Sequence, residues 1–236
     1  MDQNKTTSFI PALGYDFLTA YYDMAIKLTM PEKKFGRILV ESINPQDDES
    51  ILEFGFGTGQ NLILVKNQNR NIKLTGLDID PKVKDIANYK LDKNKHSVQL
   101  DLYSGNMFPY PDNHFDKIYS CLVFHQLDAD TKANSLKEIY RVLKTPGELI
   151  IADWGKADNK IMRFTFGIVQ MLDGFKTTND NVNGKMPQFI ASVGFKNVQI
   201  TQSINTCIGT FSYFKALKDI DNSQDIRIIK LKSQWP

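Results

Sequence analysis

Ile51-Leu52-Glu53-Phe54-Gly55-Phe56-Gly57-Thr58-Gly59-Gln60-Asn61 is the stretch that decides the fold. An apolar run enters an acid, and glycines then fall on alternate positions. Such glycines let the backbone turn sharply after a strand and let a ligand lie against bare main chain. Asn61-Leu62-Ile63-Leu64-Val65 reads as the start of a helix, so the segment is a strand, a loop and a helix. The spacing is G-x-G-x-G, whereas the dinucleotide-binding fingerprint is G-x-G-x-x-G. Glu53 stands two residues before the first glycine. A carboxylate there is a poor neighbour for a pyrophosphate and a good one for a cationic amine.

Outward from this turn, apolar strands alternate with helical segments. Upstream, helical periodicity covers Tyr15 to Leu28 and then Glu32 to Ile43, with Thr29-Met30-Pro31 between them. Downstream, strands are expected at Ile72–Leu77, Val98–Tyr103, Phe115–Phe124 and Glu148–Asp153. Helices are expected at Val83–Tyr89, opened by Pro81, and at Thr131–Leu143, where Ala133, Leu136, Ile139, Tyr140 and Leu143 fall near helical spacing. Such alternation implies a parallel sheet with right-handed crossovers. Sheets of this kind bind ligands beyond the carboxyl ends of their strands. Gly55–Gly59, Asp78, Gly105–Met107, Cys121–Gln126 and Asp153–Trp154 all follow expected strands, so they converge on one rim. Beyond residue 156, Lys160–Asp173 reads as helix, Gly174–Gly184 as a polar loop and Pro187–Val193 as a short helix. Lys196–Ile204 and Cys207–Leu217 read as a strand hairpin, and Asp225–Lys232 as a possible extra strand or a loose tail.

The 236 residues suit one α/β domain with additions, and 42% hydrophobic residues is ordinary for a globular chain. A formal net charge of +2 gives no broad electrostatic reason to expect nucleic acid. The two cysteines, Cys121 and Cys207, make neither a disulfide framework nor a metal cluster, so no metal is expected. No apolar run approaches the roughly 20 residues that span a bilayer. Met1-Asp2-Gln3-Asn4-Lys5 lacks the layout of a signal peptide, and a soluble cytoplasmic protein is the expectation.

At the glycine turn, the chain resembles the class I S-adenosylmethionine (SAM)-dependent methyltransferases, whose first motif is E-x-G-x-G-x-G. SAM carries an amine and an adenosine and no phosphate. The resemblance covers roughly residues 49 to 218 and includes relatives of the ubiquinone/menaquinone C-methyltransferase type. It implies a Rossmann-like three-layer α/β sandwich. The sheet has seven strands in the order 3-2-1-4-5-7-6, is mostly parallel with strand 7 antiparallel, and sits behind an N-terminal helical lid. It further implies that Glu53, Gly55, Phe56, Gly57 and Gly59 border the cofactor. In Leu74-Thr75-Gly76-Leu77-Asp78-Ile79-Asp80, the ribose-binding acid falls on Asp78, with Ile79 beside the adenine. A carboxylate offers two acceptor oxygens to a vicinal diol; capping of the next helix is the competing role for Asp78.

Gly105-Asn106-Met107-Phe108-Pro109 resembles the family's G-D-A-x-x-L-P segment, with Asn106 where an Asp usually meets the adenine amine and Met107 against the purine. Around Cys121, at the end of the fourth strand, the resemblance implies backbone carbonyls under the methionine part of SAM. The segment there, Ser120-Cys121-Leu122-Val123-Phe124-His125, is not the N-P-P-Y or D-P-P-Y signature of methylation at amino groups of DNA bases. Leu136-Lys137-Glu138-Ile139-Tyr140-Arg141-Val142-Leu143-Lys144-Thr145-Pro146-Gly147 follows E-x-x-R-V-L-K-P-G-G, where Gly147 supplies a turn and Glu138 and Arg141 are scaffold.

Methyl transfer is an in-line displacement at a sulfonium carbon, so positioning and desolvation carry much of it. His125 is the titratable residue on the rim suited to act as a base; a packing or hydrogen-bonding role competes with that. Trp154 reads either as a wall of the acceptor site or as fold packing. Tyr22 resembles the tyrosine of a Y-D helix that closes over the cofactor in relatives, and Tyr15 is a second candidate to face the site; buried aromatics of an amphipathic helix are the alternative. The expected organisation is a lid over residues 1–45, a core over 46–218 with an acceptor-side insertion at 156–190, and a tail at 219–236. The expected activity is methyl transfer from SAM to a small organic acceptor, yielding S-adenosylhomocysteine (SAH). A protein or RNA acceptor, and a SAM- or SAH-binding protein without turnover, are the rivals. The acceptor atom and the oligomeric state are not legible.

Overall fold

The computed structural model describes residues 32–158, 162, 175–206 and 209–219. Seven strands form one sheet in the order β3-β2-β1-β4-β5-β7-β6. They are β1 (Ser50–Phe54), β2 (Lys73–Asp78), β3 (Gln99–Leu102), β4 (Phe115–Cys121), β5 (Leu143–Trp154), β6 (Lys196–Asn205) and β7 (Thr210–Lys218). The first five pair in parallel, while β7 runs antiparallel to both β5 and β6. The expected order and the antiparallel strand are both present. The order in which strands are added reverses between β1 and β4, so the ends of these two parallel strands open the crevice where such sheets take ligands.

Six helices are described: α1 (Glu32–Ile43), α2 (Gln60–Gln68), α3 (Pro81–Lys93), α4 (Ala129–Val142), α5 (Phe175–Val182) and α6 (Met186–Ser192). Adjacent strand residues point to opposite sides, and the core divides accordingly. Ile51, Tyr119, Ile150 and Tyr213 pack with α1, α2 and α3 through Leu39, Leu62 and Leu91. Leu52, Ile118, Ile151 and Phe214 pack with α4 and α6 through Leu136, Ile139 and Ile190. Sheet and helices thus make three layers. The helix starts follow from local chemistry. Asp80 caps α3 by accepting from the Lys82 amide, with Pro81 in the first turn, and Asp128 caps α4 by accepting from the Thr131 amide.

Three local expectations need revision. The apolar run after β4 does not continue as strand to Phe124: Leu122 takes a left-handed conformation (φ 59°) and Phe124–Gln126 form a 3-10 turn. A leucine there is strained, a condition that persists at sites the surroundings over-determine. Gly147 lies within β5 rather than in a turn between elements; the pairing of Phe115 with Leu143 and of Lys117 with Glu148 makes a wide bulge of the intervening residues. Residues 175–182, expected as loop, are helix α5. Their Thr, Asn and Asp are weak helix formers, and packing against the turn at 124–126 and against β5 supplies what propensity lacks. Helix α1 packs on the sheet, where the Tyr213 hydroxyl donates to the Phe35 carbonyl at 2.9 Å. The expected helices at 15–28 and 160–173 and the segment at 225–232, with Tyr15, Tyr22 and Cys207, lie outside the described residues, as does most of the 1–45 lid and of the 219–236 tail.

Candidate active site

The glycine loop after β1 is tied to the end of β2. The Gly55 amide donates to the Leu77 carbonyl at 2.7 Å. The Gly57 amide donates to Oδ2 of Asp78 at 2.9 Å, while Oδ1 of Asp78 accepts from the amides of Ile79 (2.7 Å) and Asp80 (3.1 Å). The cap of α3 is Asp80, so Asp78 is not spent on that duty. Gly57 has φ +50°, and a Cβ built there meets nothing within 4 Å. The loop therefore needs glycine for its conformation and leaves bare main chain facing open space. Phe56 differs from its neighbours. Its ring turns into the core against Gly76, so only its backbone belongs to the rim.

Below the loop, Glu53 is fully buried. It accepts from Asn61 Nδ2 and from the Tyr119 hydroxyl, both at 3.1 Å. Burial raises its pKa to about 8 against these two hydrogen bonds, and the charge of Asp78 adds to the rise. Burial and the same carboxylate hold the Tyr119 hydroxyl far above its ordinary range. The half-buried Cys121 ends β4, and burial, Glu53 and Asp153 push its thiol up, so it is a protonated thiol and not a nucleophile.

The third edge is formed by the segment after β3. Ile79 approaches Gly105, where a Cβ would lie 3.5 Å from Ile79 Cδ1. Asn106 is exposed, and Met107 is 70% exposed, which is unusual for a large apolar side chain. This loop is braced from α4. Arg141 makes a fork to both oxygens of Glu138 (2.9 and 2.7 Å) and donates to the carbonyls of Phe108 and Tyr110. Glu138 in turn accepts from the Phe108 amide at 2.8 Å. The pair is scaffold, as expected, and the thing it holds is the loop that carries Asn106 and Met107.

On the opposite side, His125 is buried in the 3-10 turn after β4. Its Nδ1 meets Oδ1 of Asp153, at the end of β5, at 2.8 Å, and its backbone amide donates to Oδ2 at 3.2 Å. Asp153 also accepts from the Trp154 amide at 2.7 Å. As a carboxylate, Asp153 only accepts, so Nδ1 carries the proton and the ring's basic lone pair falls on Nε2. Trp154 is 1% exposed and stands edge-on to Phe211 at 5.8 Å, in the core on the α1 side. The structure thus brings together Glu53, Gly55, Gly57, Gly59, Asp78, Ile79, Asn106, Met107, Cys121 and His125 at the strand ends. It puts the Trp154 ring in the interior. Tyr15 and Tyr22 are outside the described residues.

Residues 52–151 match the family model described as a methyltransferase domain. This stretch is a methyltransferase domain, and the relatives and the fold support the class I SAM-dependent type. The chain is similar to a ubiquinone/menaquinone biosynthesis C-methyltransferase of Geotalea daltonii, 22% identical over 205 residues, covering 78% of this chain and 84% of the relative. A demethylmenaquinone methyltransferase of Thermotoga maritima is 28% identical over 153 residues, covering 64% of this chain and 63% of the relative. Among solved structures, a SAM-dependent methyltransferase from Aquifex aeolicus superposes with a TM-score of 0.59 at 19% identity, covering 81% of this chain and 95% of that one, and so shares the fold. SAM is the methyltransferase's cofactor, and the residues present suit it: an open glycine cradle, a buried acid with no cationic partner among its hydrogen bonds, and a diol-competent acid joined to the cradle.

Sequence reasoning missed Asn61 and Tyr119 as the partners of Glu53, and Asp153 as the partner of His125. It also missed Lys132, which is buried with its Nζ at 2.6 Å from the Thr177 carbonyl. A lysine on the apolar face of an amphipathic helix was the signal for the last; nothing in the spacing marked the others.

Proposed function

We propose that this chain transfers the methyl group of SAM to a small organic acceptor, releasing SAH. One observation carries the reading. Asp78 is bonded to the Gly57 amide on one side of the crevice, and on the other His125 is oriented by Asp153. A site with both a cofactor cradle and an oriented base is equipped for turnover and not for SAM binding alone. The names of the relatives point to a quinone-class ring as the acceptor to test first. A net charge of only +2 fits a small acceptor better than a nucleic acid.

Asp78 would hold the ribose hydroxyls, Ile79, Asn106 and Met107 the adenine, Glu53 with Gly55, Gly57 and Gly59 the amino-acid end, and Cys121 the same end through its carbonyl. Tyr22 and Tyr15 remain the proposed covers from the N-terminal segment. When bound, SAM supplies an electrophilic methyl group on a sulfonium sulfur. Glu53 meets the incoming cation as a carboxylate, having released its proton, since a charge pair in a buried setting favours the ionised acid. His125 takes the proton that the acceptor gives up as its nucleophilic atom bonds to carbon, and Asp153 steadies the resulting imidazolium.

Calorimetric titration with SAM tests the first half: micromolar binding that Asp78→Ala abolishes is expected. Turnover of a reduced naphthoquinone with SAH release, lost in His125→Ala, tests the second. Full turnover in that variant would remove the base.

A further inference from the structure

Helix α5 packs against the turn that carries His125 and against β5. It bears Asn181, whose side chain is wholly buried. Asn181 Nδ2 donates to the Trp154 carbonyl at 3.2 Å, one residue beyond the Asp153 that holds His125. A carbonyl only accepts, so nitrogen faces Trp154 and the oxygen faces away. That oxygen, Oδ1, is sealed from solvent and has no hydrogen-bond partner. Buried polar atoms are nearly always paired, and an orphan calls for a reason. The nitrogen serves the Trp154 carbonyl, but that bond gives no role to the oxygen, and helix propensity alone favours other residues here. The position of Asn181 is nonetheless fixed. Buried Lys132 on α4 donates to the Thr177 carbonyl at 2.6 Å and lies 3.9 Å from the Asp180 carboxylate, so α5 is anchored at two points in the turn that leads to Asn181.

We infer that Asn181 Oδ1 is a binding atom for the methyl acceptor, receiving a hydrogen bond from a hydroxyl or N–H group of that molecule. This rests on the small-acceptor reading above and adds to it the chemical class: an acceptor bearing a donor hydrogen. An ether or a carbonyl in the same place offers no hydrogen, leaves the oxygen orphaned and is rejected. Oδ1 has no exposed surface in this structure, so binding there requires the groups around the amide to part. The bond that α5 makes through Nδ2 keeps the amide from rotating to present nitrogen, so the preference is for donors only.

The test uses the full chain loaded with SAH and two probes of the same shape, 1-naphthol and 1-methoxynaphthalene, titrated by calorimetry and by the side-chain amide resonances. Wild-type protein is expected to bind 1-naphthol at least tenfold more tightly than the ether, with a shift of the Asn181 amide signal. Asn181→Leu is expected to keep its affinity for SAH and lose the preference. Equal binding of the two probes by the wild type overturns the inference without recourse to any variant. So does a preference retained in Asn181→Leu, or an ordered water that stays on Oδ1 when 1-naphthol is bound. Failure of SAH-loaded protein to bind 1-naphthol also overturns it while leaving the cofactor assignment intact, whereas failure to bind SAH would bring down the methyl-transfer reading itself.

Discussion

Nδ1 of His125 meets Oδ1 of Asp153 across the ends of β4 and β5 at 2.8 Å, and both side chains are buried. The pair converts a histidine that sequence alone leaves ambiguous into one with a fixed tautomer and a fixed ring plane. Asp153→Asn retains a similar shape but removes the charge that steadies the imidazolium. Turnover is expected to fall by about ten- to a thousandfold, within the range general base catalysis supplies, with SAM affinity unchanged. Parallel measurement of kcat and of SAM binding checks this; equal losses in both would assign Asp153 to cofactor binding or to folding.

Glu53 makes stability depend on pH. Its pKa stands at about 8 when folded, above an ordinary carboxyl value of 4.5. Between these values the folded chain holds a proton that the unfolded chain has lost, so the unfolded state gains as pH rises. The stabilisation is full below the lower value and is lost as pH passes through the upper one, a change on the order of a few kcal/mol. Denaturation of the apo protein at pH 6 and pH 9 is expected to show this loss, and Glu53→Gln to flatten it. SAM should bind with proton release below pH 8, visible as a dependence of the binding heat on the buffer's own ionisation heat.

Two glycines of one loop should respond differently to the same change. A Cβ at Gly55 would lie 2.2 Å from Val123 Cγ2, whereas one at Gly57 meets nothing within 4 Å. Gly55→Ala is expected to destabilise the fold by more than about 2 kcal/mol through overpacking and backbone strain. Gly57→Ala bears only the left-handed strain, about 1–2 kcal/mol, but places a methyl where the ligand lies. Its SAM affinity should fall by more than tenfold with a modest loss of stability. Thermal melts and SAM titrations on both variants separate the two effects.

Arg141→Ala should loosen the adenine-side loop. The guanidinium holds the Phe108 and Tyr110 carbonyls as well as Glu138. Because it is partly exposed, a cost of about 1–2 kcal/mol is expected, a few degrees in Tm at this chain length. Amide exchange in residues 105–110 should quicken in the apo protein, and SAM should bind more weakly.

Most of the sheet was legible because buried strands write their burial into the sequence. Ile51 to Phe54 and Ile72 to Leu77 are apolar runs bounded by polar turns, and their order followed from the resemblance. The glycine loop and Asp78 were legible because both chemistries restrict residue type sharply. What could not be read was pairing in space. Nothing within the sequence distance separating Glu53 from Tyr119, or His125 from Asp153, marks them as partners, since the first pair is joined only by sheet register and the second only by the fold of the turn after β4 over the end of β5. Helix α5 was lost because its polar residues read as loop; one of them, Asn181, serves a contact to the Trp154 carbonyl, and Lys132 holds the Thr177 backbone carbonyl, both acting from elsewhere in the chain. Trp154 stood open between a wall of the site and fold packing, and the second holds. An aromatic at a strand's carboxyl end suggests a wall of the site, yet strand alternation turns this ring toward α1.

Helix α4 reaches toward both halves of the crevice. Lys132, near its start, anchors α5, the helix proposed to meet the acceptor, and Arg141, near its end, braces the loop proposed to meet the adenine. Nine residues separate them, about 13 Å along one straight rod. A rod of that length does not bend appreciably, so the two ends share one rigid lever. Any displacement of α4, whether by a substitution at its buried face or by a neighbouring molecule, would alter donor and acceptor affinity together, and the two substrates would then be felt by each other through a helix that touches neither.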